Sequence, residues 1–449
     1  MSGETRRTQG LDTAWILLML AASTAIAVLN AFAVHTFHTI DKHLTFRDRI
    51  LAGFPVDPVA RTYPTPPTFP MWGYGWVLVL TTSKPVLIAI QIAAAAFAAW
   101  LFVTTVERIV PPDRRPMLLL RAAILACTPW YVYHSIDWSQ SLATSALIVS
   151  LALLISACQP QRARTPRLAA SAICFGVNLN FASDLYLLPV AIAATYWWLQ
   201  RDRPGAVWQS AAWLGIVFTT LAPWMIYSVH VVGSPLVKST NQGHVLLIGL
   251  GQDPQHRFDV SYSDIDPTMG AILDGALGPQ RARQSYESCS FEADPVLRQA
   301  FLQRVSDQPW AYLDVVRWRL TQVLLGRVGV YAGEFDSAQN VGRFHIGPGV
   351  RWALRRVTAS VGSRLQQATA LLLPFAAWGA ARRRSAALAL AVVSIAYQYV
   401  SCSVAAMQPQ YVQNVLVFQL FLCAEFGSMV FGRIRGADRI AGRLHLAHG

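Results

Sequence analysis

The feature that most constrains the fold is a succession of long apolar runs separated by short, arginine-rich connections. Runs lie near residues 12–34, 83–106, 117–133, 141–157, 207–228, 386–403 and 411–431. Each approaches or exceeds the roughly 20 residues that a helix needs to cross a bilayer. Residues 168–199 form two shorter runs broken by NLNFASD (178–184), which predicts a helical hairpin with its tip near the outer surface. Residues 359–380 are the weakest run, interrupted by Arg364, Gln366 and Gln367. The runs are continuous rather than alternating, which argues against a closed β-barrel. Only 14% of the 449 residues are charged, against about 25% in soluble chains. The expected fold class is therefore an all-α polytopic membrane protein with about ten transmembrane helices and a mixed external loop domain.

The basic connections set the topology. ERIVPPDRRP (107–116), QPQRARTPR (159–167), RDRPG (201–205), ARRRS (381–385) and the arginines of the tail all belong on the cytoplasmic side by the positive-inside rule. Both termini are then cytoplasmic. Residues 1–228 read as an N-terminal membrane module with an external loop at 35–82. Residues 229–350 contain no spanning run and read as an external domain, and 351–449 form a C-terminal membrane module. The formal charge of +13 follows from this topology, so the bilayer is the expected partner and nucleic acid is not. The six cysteines show no metal-ligand spacing, and the sequence requires neither metal nor cofactor.

Chemistry-bearing residues gather on the outer side. The loop at 35–82 holds Asp41, Asp48 and Asp57. Asp41 and Asp48 are seven residues apart, which puts both on one face if this stretch is helical. A carboxylate just outside the membrane can act as general base for a sugar hydroxyl. The loop closes with YPTPPTFPMWGYGW, whose rings suit a sugar, an isoprenoid chain or an interfacial aromatic belt. Asp137 and Asp184 each sit beside the outer end of a span, either as functional carboxylates or as turn residues. His244 and Asp253 lie in STNQGHVLLIGLGQDP, which lacks the ending of a P-loop. Residues 294–325 show helical spacing, with Asp294 and Pro295 read as cap and first helical position. Their second half, with Arg317 and Arg319, reads as an amphipathic surface helix. Arg351, Arg355, Arg356 and Arg364 lie before a span on the outer side, as a phosphate clamp or as lipid-headgroup contacts.

Four of these places carry a resemblance: DKHLTFRDRILAG leading into YPTPPTFPMWGYGW, the hairpin tip ASDLYLLP, the run STNQGHVLLIGLGQDP, and DPVLRQAFLQRVSDQPWAYLDVVRWR. Together with the layout of spans, they resemble the GT-C class of integral membrane glycosyltransferases, close to glycosyltransferase family 39 and the protein-mannosyltransferase-like group. The resemblance covers most of the chain. It implies an inverting transfer from a polyprenyl-phosphate sugar to a glycan, lipid or protein acceptor outside the bacterial inner membrane. It gives the base role to Asp41, with Asp48 as the alternative. Asp137, Asp184, His244, Arg317, Arg319, Arg351, Arg355, Arg356 and Tyr411 are the candidate substrate-binding residues. The chain departs from the family at Thr45, where a tyrosine often stands, at Ala182, where arginine is common, and at Gln410, where an Arg-Tyr pair is common. A lipid-linked glycan polymerase or ligase with a diphosphate donor, a transporter or flippase, and a membrane scaffold are the competing readings.

Overall fold

The computed structural model describes residues 39–53, 66–69, 71–109, 139–159, 164–264, 266–279, 287–326, 348–407 and 414–427, with residues 14, 18, 21 and 25 of the first apolar run. At 39–42, 84, 107, 183, 348–359, 361 and 362 it describes the backbone alone. Among the described residues every regular element is a helix. The segment 229–350, expected to be an external domain of mixed structure, shows only helices and turns there. Three helices are long and apolar enough to cross a bilayer: Pro85–Val106, Ser139–Ala157 and Ala386–Val404. A bent pair, Ala206–Thr219 with Ala222–Val232, makes a fourth. The run at 117–133 and most of 12–34 lie outside the described residues.

The loop at 35–82 contains two helices, α1 (Thr39–Leu51) and α2 (Gly73–Leu80), and leads into α3 (Lys84–Glu107). Next come α4 (Ser139–Ala157) and α5 (Arg164–Phe181). A short turn of 3-10 helix (Ser183–Leu185) joins α5 to α6 (Leu188–Gln200), so the expected hairpin is present. Helix α4 packs between α3 and α5. Its small residues permit that approach: Ser150 donates to the Ser171 carbonyl at 2.8 Å and is itself fully buried. The apolar core of this bundle runs from Phe46 through Phe102, Leu151, Phe175 and Trp224 to Phe418 and Phe421.

The span expected at 207–228 is α7 (Ala206–Thr219) and α8 (Ala222–Val232), bent by 45°. Pro223 explains the bend, because it has no N–H for the preceding turn and its ring crowds the carbonyl four residues back. Gly176 of α5 lies against the bend: a methyl group there would strike the Thr220 side chain and stand 2.9 Å from the Val217 carbonyl oxygen. Asn180, one turn on, donates to the carbonyls of Gly176 (2.9 Å) and Thr220 (3.1 Å) and so holds the bend shut. Gly176→Val is expected to destabilise the bundle by about 1–3 kcal/mol, read as a lower unfolding temperature in detergent. An unchanged unfolding temperature would mean that α5 and the bend do not approach this closely.

The weak span at 359–380 is part of a longer helix, α13 (Pro348–Arg383), with Pro374 inside it. Arg351, Arg355, Arg356 and Arg364, expected just before the span, therefore stand on one helix with the apolar run. Helices α14 (Ala386–Val404) and α15 (Leu416–Gly427) complete the bundle.

Between α8 and α13 a second, smaller core forms from α9 (Gln242–Leu250), α10 (Pro267–Leu277), α11 (Ala293–Asp307) and α12 (Pro309–Leu324). Leu247, Leu250, Phe258, Met269, Leu297 and Phe301 fill it. Asp266 caps α10, accepting from the Met269 N–H at 3.0 Å, with Pro267 at the start of the helix. Asp253 is buried at the end of α9 and takes the Arg257 fork at 2.9 and 3.0 Å. Burial opposes its charge, but Arg257 and the neighbouring backbone N–H groups outweigh burial and hold the carboxyl below its ordinary range.

Candidate functional site

The first-loop helix α1 is built to be held. His43 meets the Tyr74 ring edge-on at 4.9 Å, and the Tyr74 hydroxyl donates to Gln91 of α3 at 2.9 Å. Phe46 packs on Trp224 and Tyr227 of the bent span. Arg49 is buried and hydrogen-bonds the Tyr227 hydroxyl. Asp48 faces outward, and its Oδ1 accepts from Arg47 Nε at 2.8 Å. The backbone of Asp41 lies in the same helix, two turns earlier, as the spacing predicts; its side chain lies outside the description.

The aromatic tail of the loop is stitched to the hairpin and to the segment that follows the bent span. Trp72 stacks on Tyr227 at 6.0 Å, and its Nε1 donates to Asn180 at 2.7 Å. Gly73 lies so close to the Asn180 carbonyl that no side chain fits between them. The Tyr227 hydroxyl donates to the Pro67 carbonyl at 3.1 Å. Thr68 and Thr240 share a hydroxyl hydrogen bond of 2.8 Å, and Thr240 N–H donates to the Thr68 carbonyl at 3.2 Å. The Thr240 hydroxyl also donates to the Cys289 carbonyl at 2.6 Å.

The hairpin tip carries Asp184, outside both of its helices. Its Oδ2 accepts from Asn414 at 2.9 Å, and Asn414 in turn accepts from Thr144 of α4 at 2.9 Å. Its Oδ1 is sealed from solvent without a hydrogen-bond partner among the described residues. Burial raises the carboxyl to about 6 against the lowering effect of the backbone and Asn414 hydrogen bonds. The folded chain thus holds a proton here that the unfolded chain releases at lower pH. Stability falls as pH rises from the ordinary carboxylate range through about 6. Asp184→Asn removes that dependence, so its unfolding temperature should gain on wild type between about pH 4 and about pH 7. Parallel curves at both ends would show a hydrated, unperturbed carboxyl.

Two residues along the chain from Asp184, the Tyr186 ring carries the Lys238 ammonium, 4.9 Å from its centroid. Beyond it, Gly243 N–H donates to Asp294 Oδ1 at 2.7 Å, and Asp294 Oδ2 pairs with Arg298. The expectation of Asp294 as helix cap is corrected by two residues: α11 begins at Ala293 after Glu292. Ser290 serves its first turn, its Oγ accepting from Ala293 N–H at 3.1 Å. Asp294 instead turns its carboxylate to α9, because a buried carboxylate needs more than one donor. His244, also buried, has Nε2 3.0 Å from Asp264 Oδ1.

The two arginines of α12 part company. Arg317 is exposed. Arg319 is fully buried and donates to the carbonyls of Ser403, Val404 and Ala405 at 3.1, 3.2 and 2.9 Å and to that of Gly249. Nη1 is thus committed to the end of α14 and Nη2 to α9. Arg351, Arg355 and Arg356 lie along the first turns of α13, described by backbone alone. Asp137 and Tyr411 lie outside the described residues.

Thus the tail of the first loop meets Thr240, the hairpin tip meets Lys238, and Gly243 meets Asp294. Residues far apart in the chain form one seam along the hairpin tip and the bent span. Sequence reasoning passed over Asn180, Lys238, Arg298 and Asn414. Lys238 had one available signal: it is one of three lysines beside 34 arginines. Chemically, the seam and the adjoining α1 offer carboxylates able to accept a proton, cations able to hold an anion and aromatic faces.

The sequence matches no protein-family model and no curated protein. Among solved structures it is similar to the archaeal oligosaccharyltransferase AglB from Archaeoglobus fulgidus in complex with an inhibitory peptide and a dolichol-phosphate. Identity is 13% and the TM-score 0.47, over 95% of this chain and 52% of that one. It is also similar to the apo form of the Archaeoglobus fulgidus oligosaccharyltransferase, with 11% identity and a TM-score of 0.49, over 96% of this chain and 52% of that one. The chain therefore spans about half the length of these structures.

Proposed function

We propose that the chain is a GT-C-type membrane glycosyltransferase, related to the family 39 and protein-mannosyltransferase-like group. On this reading it moves a sugar from a polyprenyl-phosphate donor to an acceptor outside the bacterial inner membrane. The observation that carries this reading is the seam. Four segments carry the resemblance, and contacts such as Thr68–Thr240 and Gly243–Asp294 draw their residues together.

The reaction follows from this arrangement. A carboxylate of α1, Asp41 with Asp48 as the alternative, takes the proton from an acceptor hydroxyl. The oxygen then forms a bond to the anomeric carbon from the face opposite the phosphate. The bond from that carbon to the phosphate oxygen breaks, the electron pair leaves with the phosphate, and the anomeric centre is inverted. Charge grows on the leaving phosphate, so cations at the outer edge lower the barrier. Arg317, Arg351, Arg355 and Arg356 are the set that the sequence supplies. Asp137, Asp184, His244 and Tyr411 are the proposed contacts to sugar and acceptor. Residues 1–228 and 351–449 act as membrane modules and 229–350 as an external cover, with both termini cytoplasmic.

The test is a transfer assay on the full chain in liposomes, with radiolabelled polyprenyl-phosphate sugars and envelope acceptors. Label in a new glycoside is the expected result. Transfer from diphosphate donors alone would replace this reading with a ligase. Movement of the intact lipid-linked sugar between leaflets, with no new glycosidic bond, would replace it with a transporter.

A further inference from the structure

Helix α13 is apolar on two opposite sides over its second half. Leu373, Ala376 and Ala380, three and four residues apart, pack into the core of the bundle. Leu371, Phe375 and Trp378, four and three apart, look outward and are 72%, 64% and 63% exposed. A helix that is apolar all round belongs in an apolar surround, and protein covers only one side of this one among the described residues. The outward stripe continues to Arg382, one turn beyond Trp378, whose guanidinium carbon stands 5.2 Å from the centre of the Trp378 ring. The stripe thus passes from apolar side chains through an indole to a cation. A chain leaving a bilayer through its headgroups meets environments in that order.

Arg382 has company. Helix α13 ends at Arg383, and Arg384, with φ at +48°, turns the chain towards α14 and pairs with Asp202. Asp202 lies in the connection after α6. The pair therefore joins two basic connections, 201–205 and 381–385, at the end of α6 away from the hairpin tip. Together these connections hold five arginines and one carboxylate. That carboxylate is already in use, with Oδ2 on Arg384 and Oδ1 3.9 Å from Arg201 Nε. Arg382 and Arg383 are exposed. A ring face attracts a cation without neutralising it, and neighbouring like charges repel. An anion that carries an apolar tail meets the surplus of charge and covers the bare stripe at once.

We propose that this end of α13 is the seat of an anionic phospholipid of the bilayer, its phosphate held by Arg382 and Arg383 and one acyl chain laid along Trp378, Phe375 and Leu371. Arginine forks match phosphate oxygens, and the indole stands at the depth where headgroup meets chain. A zwitterionic lipid fits the stripe but brings a cation of its own to the arginines, so charge selects the occupant. The inference needs only that the bundle stands in a bilayer, and it is independent of the transferase reading.

The test is native mass spectrometry of the full-length protein released from detergent. It is titrated with phosphatidylglycerol, phosphatidylcholine of the same chain length, glycerol phosphate and farnesyl phosphate. Wild type is expected to hold phosphatidylglycerol about tenfold or more tightly than phosphatidylcholine. Arg382→Gln combined with Arg383→Gln should lose one tightly held phosphatidylglycerol, and Arg382→Lys combined with Arg383→Lys should keep it. Wild-type retention in the glutamine pair, or equal affinity of wild type for the two phospholipids, overturns the seat. Should the glutamine pair fail to fold, Arg382→Gln alone decides: a hold weakened about fivefold supports the seat, and wild-type affinity overturns it. Glycerol phosphate bound as tightly as the lipid would remove the acyl chain from the site. Farnesyl phosphate bound in preference to phosphatidylglycerol, and lost in the same variant, would overturn a bilayer phospholipid as the occupant and give the seat to an isoprenyl phosphate.

Discussion

Asp41→Asn is expected to slow sugar transfer by about a hundred- to ten-thousand-fold, with little change in donor binding. The proposed base acts only on the acceptor proton, so its loss should appear in kcat rather than in donor KM. The substitution keeps the size and the hydrogen-bonding shape of the side chain and removes only its ability to take a proton. Helix α1 is continuous from Thr39 to Leu51, which puts residues 41 and 48 two turns apart on one scaffold. Asp48→Asn is the comparator. Asp48 points outward and its Oδ1 already accepts from Arg47, so the smaller effect is expected there. Initial rates with saturating donor measure both. Full transfer in both variants would remove the base from this helix altogether.

Arg319→Met is expected to cost about 3–5 kcal/mol of stability, the largest structural effect in the chain. The last carbonyls of α14 have no intrahelical donors, and the negative end of the helix dipole is buried with them. Arg319 answers three of these carbonyls, at Ser403, Val404 and Ala405, and at the same time the carbonyl of Gly249 in α9. Methionine fills a similar space and leaves all four without that donor. Lysine restores the charge but not the fork, so Arg319→Lys should recover only part of the loss. Thermal unfolding in detergent reads the effect. An unfolding temperature within about 2 °C of wild type would show that water serves those carbonyls instead.

The sequence makes some of this architecture plain and hides the rest for definable reasons. Apolar length and arginine placement mark α3, α4 and α14, because crossing a bilayer is a local property of a run. The hairpin is legible from NLNFASD, since a polar break in an apolar stretch has few other uses. The bend at Pro223 is not, because the apolar run continues through it, and its partners Gly176 and Asn180 stand on another helix. The early start of α13 is hidden by its arginines, which break the apolar run although arginine is a good helix former. In the candidate site, the seven-residue spacing of Asp41 and Asp48 is readable, as a property of one helix. The value of Arg319 is not: Arg317 and Arg319 look alike in sequence, and only the carbonyls 84 to 86 residues away separate them. Lys238 is hidden for the same reason, since the Tyr186 ring beneath it stands 52 residues earlier in the chain.

The stitch between the first loop and the rest of the chain also sets an order of events during synthesis. Thr68 must wait for Thr240, its partner 172 residues later. At about 5–20 residues per second, that interval is roughly 10 to 35 s on the ribosome. Through that time the aromatic tail is already made, while Asn180, Tyr227 and Thr240 reach it one after another. The packing around α1 is therefore finished late, by segments synthesised long after the loop itself. An N-terminal fragment ending before Thr240 can insert its spans, yet it lacks the residues that close the loop over them.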